Sequence, residues 1–116
     1  MSSRNMRLYL DDILQACEDI LDFTKAMVSA DDFGSDRRTM LAVIRSLEVI
    51  SEAARQMPKA FRDKHAYVPL REMTNFRNVI AHEYFGLDFD IVWDVIKNRI
   101  PALEEQIKTV KDTLED

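Results

Sequence analysis

The sequence predicts an all-α fold: an up-and-down antiparallel four-helix bundle whose last helix is long and kinked at Pro101. Three observations carry that expectation. Two glycines and three prolines in 116 residues are too few for the many turns of an all-β chain. Apolar residues recur at steps of three and four along four stretches. The connections between those stretches are short or modest, so consecutive helices return antiparallel. A chain of this length makes one domain, residues 1–116, with a core of useful size.

The first helix is expected from about Met6 to Val28. Leu10, Ile13, Leu14, Cys17, Leu21 and Thr24 mark its stripe, and Tyr9, Ala16, Ile20, Phe23 and Met27 widen it. Residues 30–34 read as a turn, with Phe33 an apolar staple at the entry to the next helix. Ser35 or Asp36 caps that second helix. Its core positions are Met40, Val43, Ile44, Leu47, Ile50, Ala54 and Met57, and Pro58 ends it. Small residues at Ser51, Ala53 and Ala54 allow another helix close. Glu52 sits among them, either as partner to a basic side chain or exposed.

Residues 59–68 form the longest connection, basic, with Phe61 as an apolar foothold and room for one helical turn. His65 in this loop is expected to be exposed. Pro69 suits the first position of a third helix, along which Leu70, Met73, Phe76 and Ile80 recur at helical spacing up to the stop at Gly86. Asp88 is the expected cap of the fourth helix, with Asp90 in its first turn. Val92, Ile96, Ile100, Leu103, Ile107, Val110 and Leu114 keep their phase through Pro101, hence one kinked helix.

Composition excludes several classes. No apolar stretch approaches the ~20 residues that span a bilayer. No apolar run precedes a cleavage site at the N-terminus, so no leader is expected and a cytoplasmic location is. Cys17 lies alone on an apolar stripe and reads as a buried small hydrophobe in a reducing compartment. No Cys/His cluster has zinc spacing and no glycine-rich phosphate loop exists, so neither metal nor cofactor is expected. The net charge of −5 argues against a general nucleic-acid binder. Yet from Arg37 to Arg77 nine lysines and arginines stand against four acids, a basic segment in an acidic protein. Its plain reading is solvated helix faces. A local anion-binding surface is equally compatible, because screening acts over only ~8 Å at physiological salt.

The chemistry concentrates in residues 77–84. Arg77 can hold a phosphate with a planar fork and stays charged. His82, one of two histidines, titrates near neutrality. Together they equip a site for metal-free phosphodiester chemistry: one group moves a proton, the other stabilises charge on the phosphorus oxygens. Residues five apart lie roughly 140° apart around a helix of ~3.6 residues per turn, so Arg77 and His82 do not stack. Asn78 and His82, at i and i+4, do. One chain supplies one such imidazole, and a two-fold dimer supplies two. The plainer reading of Arg77 and His82 is a charge complement at a helix end, and of Tyr84 a phenol packing on the bundle.

Arg77, His82 and Tyr84 in R-x4-H-x-Y spacing resemble the signature of HepT-like toxins of the HEPN superfamily. Further blocks match in order: residues 36–39, 47–54, Val68-Pro69, Arg77-Asn78, residues 84–86, Val92-Trp93 and residues 100–103. Two positions depart from the family pattern, Ser51 where glycine is usual and Leu70 where tryptophan is common. The resemblance implies a homodimer with the motif at its interface and metal-independent endonucleolytic cleavage of RNA. It implies Arg77 and His82 as the catalytic pair, with Asn78 in support. It also implies a type VII-like toxin–antitoxin system, in which a minimal nucleotidyltransferase antitoxin of the MntA type transfers AMP to Tyr84. The competing class is a non-catalytic helical partner that presents substrate to a nucleotidyltransferase.

Overall fold

The computed structural model describes residues 3–81 and 88–114. They are helical, with no strand among them. The helices are α1 (Ser3–Thr24), α2 (Ala30–Gly34), α3 (Arg37–Gln56), α4 (Lys59–Lys64), α5 (Leu70–Thr74), α6 (Phe76–Ala81), α7 (Phe89–Asp94) and α8 (Ile100–Thr113). Helix α3 packs on α1 along one side and on α5 and α6 along another, and α8 closes on α1. The core between them is continuous: Leu10, Ile13, Cys17 and Ile20 from α1, Val43, Leu47, Ile50 and Ala54 from α3, Ile100, Leu103, Ile107 and Val110 from α8. These are the expected stripes. Phe23 is the exception, exposed rather than widening the stripe. Burial of Cys17 in apolar surroundings pushes its thiol up to about 12, so it is held as the neutral thiol.

The ends of the helices follow from their caps. The Asp36 carboxylate accepts from the Thr39 N–H at 3.0 Å and the Thr39 hydroxyl at 2.9 Å, fixing the start of α3. Asp88 accepts from the N–H groups of Asp90 and Ile91 at 3.1 and 3.2 Å, opening α7. Helix α1 stops at Thr24, four residues before the expected end. Beyond it Ser29 takes an extended conformation and caps a short α2 where a turn was expected. That element places Phe33, fully buried, 6.1 Å from the Trp93 ring. It also brings Gly34 against Phe89, where an added Cβ would lie 2.5 Å from the ring. Close approach, not an unusual φ, demands the glycine, since no described glycine has positive φ.

Three further details depart from the expected plan. The third helix breaks at Asn75 into α5 and α6. There the Asn78 N–H bonds to the Asn75 carbonyl at 2.9 Å, a tightened turn that leaves the Thr74 carbonyl without its helical partner. Ser51 of α3 supplies the replacement, its hydroxyl donating to that carbonyl at 2.8 Å. The fourth helix runs unbroken through Pro101, as expected, but it contains a π turn over Val95–Arg99 that joins α7 to α8. The Ile100 N–H reaches back five residues to the Val95 carbonyl, just ahead of a proline that has no N–H to offer. A bidentate ion pair from Arg99 in this turn to Glu72 ties it to α5.

The third departure is a correction. His65 is buried, 7% exposed, not a solvated loop residue. Its backbone N–H caps α4 on the Phe61 carbonyl, so the ring folds back on Phe61 with centroids 4.6 Å apart, and Tyr67 meets it edge-on at 5.9 Å. Burial, and secondarily the charge of Lys64, lower its pKa.

Two outcomes follow for stability. Gly34→Ala must displace the Phe89 ring and is expected to cost about 1–3 kcal/mol in urea unfolding. For His65, the folded state disfavours the proton and the unfolded state, near pKa ~6.5, does not. Its contribution is therefore complete above that pH and is lost as pH falls below it, by at most ~1.4 kcal/mol per pH unit. Unfolding free energies between about pH 7 and 5 should show this slope in the wild type and a flatter one in His65→Phe.

Candidate active site

Helix α6 is amphipathic at short range. Phe76 and Ile80 are buried, 3% and 6% exposed, and point Arg77 and Asn78 to solvent. The break at Asn75 sets this orientation, because the Ser51 bridge fastens the joint between α5 and α6 to α3. His82 and Tyr84 lie outside the described residues, as does the expected stop at Gly86.

Arg77 lines an open depression with Arg45, Glu48, Glu52 and Arg55 of α3. The α3 residues are arranged in local pairs. Arg45 Nη1 donates to Glu48 at 3.3 Å. Arg55 grips Glu52 with both Nε and Nη2, and Gln56 adds a third hydrogen bond to the same carboxylate. These hydrogen bonds, Arg55 first and Gln56 next, hold the Glu52 carboxyl at a pKa of about 2; the charge of Arg77 adds a smaller share. Arg77 itself makes no hydrogen bond or ion pair with a described residue. Among the described residues it is thus a cation whose donors are not taken up, in a depression of three arginines and two glutamates, and a planar fork of this kind suits an incoming anion.

The site as read from sequence held Arg77, Asn78, His82 and Tyr84. The structure brings Arg77 and Asn78 out together on one exposed turn, and adds Arg45, Glu48, Glu52 and Arg55 around Arg77. The i,i+3 steps from Arg45 to Glu48 and from Glu52 to Arg55 were visible signals for the pairs. That both pairs face α6 was not, since it depends on how α3 packs. His65 does not line this depression. Among the described residues no group of three or more His, Cys, Asp or Glu is placed to hold a metal ion, and no helix is long and apolar enough to cross a membrane.

These features define a small all-α domain that carries an exposed arginine and amide at a helix end, within an arginine-rich depression. Residues 13–110 match the family model described as ribonuclease HepT-like. Among curated proteins, the chain is 40% identical over 116 residues to a candidate RNase of Methanocaldococcus jannaschii, covering 100% of this chain and 93% of the relative. It is 43% identical over 104 residues to a candidate RNase of Caldanaerobacter subterraneus subsp. tengcongensis, covering 90% and 92%. It is 38% identical over 108 residues to a protein of Thermococcus cleftensis named "Probable ribonuclease HepT", covering 93% and 97%. No solved structure matches. The chain belongs to the HepT-like ribonuclease family, and with that membership its enzyme class is ribonuclease.

Proposed function

We propose that the protein is a metal-independent endoribonuclease toxin that acts as a homodimer, with Arg77 and His82 as its catalytic pair. One observation carries the reading: Arg77 is exposed, has no fixed partner among the described residues, and stands in a basic depression five residues before the histidine of a HepT-like chain. His82 takes the proton from a ribose 2′-hydroxyl. The 2′-oxygen attacks the adjacent phosphorus, and the bond to the 5′-oxygen breaks. Arg77 stabilises the extra negative charge on the phosphorus oxygens. His82 of the second copy protonates the departing 5′-oxygen. The products are a 2′,3′-cyclic phosphate and a 5′-hydroxyl, and DNA, which lacks the nucleophile, is spared. Asn78, four residues before His82 in the sequence, supports the imidazole.

Neutralisation acts on Tyr84. A minimal nucleotidyltransferase antitoxin of the MntA type transfers AMP to the phenol oxygen from ATP, releasing pyrophosphate, in the manner of type VII toxin–antitoxin systems. The added group is bulky and anionic, and at the edge of the site it repels an RNA phosphate.

Expression in a bacterial host, with growth and total RNA followed together, tests the reading. The wild type arrests growth and fragments RNA. Arg77→Ala and His82→Ala each lose about 10²–10³-fold in cleavage while their circular dichroism is unchanged. Tyr84→Phe stays toxic when the nucleotidyltransferase is co-expressed. Harmless expression of all four proteins with intact RNA would instead favour a non-catalytic partner of a nucleotidyltransferase.

A further inference from the structure

An acid beside a phosphate-binding arginine repels the same phosphates that the arginine attracts. Glu52 nevertheless shares the depression with Arg77, and its surroundings hold it there. Arg55 Nη2 donates to Oε1 at 2.7 Å and Nε to Oε2 at 3.2 Å, and Gln56 Nε2 donates to Oε1 at 3.0 Å. A carboxylate accepts about four hydrogen bonds, so one acceptor position is left for a further donor. The residue before it, Ser51, is fully buried and bonded to the Thr74 carbonyl, which fastens this turn of α3 to the joint from which α6 starts. The carboxylate is therefore fixed with respect to the helix that carries Arg77, and the charge of Arg77 reaches it.

We propose that Glu52 is a positioning residue for Arg77. Gripped by Arg55 and Gln56, it is a fixed anionic post whose charge draws the Arg77 guanidinium over the depression, with no direct hydrogen bond between them, until an RNA phosphate takes its place. A long arginine at an exposed helix position otherwise samples many rotamers, and donors already in place at the reacting phosphate cost no reorganisation. The inference rests on the proposed role of Arg77 in RNA cleavage.

The test joins two readouts on the full-length protein. In the first, arginine side chains are labelled with 15N, and the order of each Nε–H is measured by NMR in wild type, Glu52→Gln and Glu52→Asp. In the second, cleavage of a fluorophore-labelled single-stranded RNA oligonucleotide is measured. In Glu52→Gln the Arg77 Nε–H is expected to lose its order and kcat to fall about tenfold, with KM unchanged or lower because a repelling charge has gone. Glu52→Asp recovers part of both. Unchanged Arg77 order in Glu52→Gln overturns the inference, as does lost order with an unchanged or higher kcat. If the wild type cuts no RNA, the proposed function fails and this inference falls with it. If the wild type cuts RNA while Arg77 is indifferent to Glu52, only the inference fails.

Discussion

The close approach of α3 to α5 and α6 is the contact from which the rest of the molecule takes its orientation. It is made possible by small side chains: Ser51 and Ala54 are fully buried and Ala53 is 5% exposed. It is sealed by the Ser51 hydroxyl on a carbonyl that the break at Asn75 has freed. A hydrogen bond of this kind contributes only about 1 kcal/mol net, yet a carbonyl left buried without a partner costs about 1–3 kcal/mol, so the break and the serine stand or fall together. The hydroxyl gives this chain a polar bridge that a glycine at the same position could not make. Consecutive residues on a helix point about 100° apart, so burying Ser51 in the joint turns Glu52 out beside Arg77. Packing inside the bundle thereby decides the electrostatics outside it.

Those electrostatics are a matter of distribution more than of total charge. The chain is acidic overall, and the two described acids that share the depression with Arg77 are hydrogen-bonded to neighbours on their own helix. Exposed pairs of this sort add little to stability, about 0–1 kcal/mol each. Their effect here is on availability. Glu48 and Glu52 are hydrogen-bonded to Arg45 and Arg55, which leaves Arg77 as the arginine of the depression with no hydrogen bond or ion pair to a described residue. Elsewhere the same residue types do different work: Arg99 and Glu72 span from the π turn to α5 and join two elements distant in sequence.

Much of this plan is legible in the sequence because it is set by local rules. The caps at Asp36 and Asp88, the end of α3 ahead of Pro58, and the apolar stripes of α1, α3 and α8 each depend on residues within a turn or two of one another. The departures have longer reach. Asn75 breaks its helix where a serine 24 residues earlier can satisfy the freed carbonyl, and no periodicity records that pairing. His65 looks like a loop residue until α4 forms and folds the ring onto Phe61. The spacing of Arg77 and Asn78 against Phe76 and Ile80 was enough to place the first pair in solvent. The neighbours from α3 required the packing of two helices.

The burial of His65 also bears on how many chains make a site. Proton transfer in the proposed cleavage needs two groups, one to take the 2′ proton and one to supply the 5′ oxygen. The chain has two histidines. His65 is engaged by Phe61 and Tyr67, its pKa is lowered, and it does not line the depression around Arg77. A displaced His65 would have to abandon its aromatic contacts and unmake the end of α4. That leaves His82 alone in each chain, and two-fold symmetry is the simplest way to bring a second imidazole to the other side of one phosphate. In the proposed cleavage it is thus the histidine the chemistry does not use that calls for a second chain.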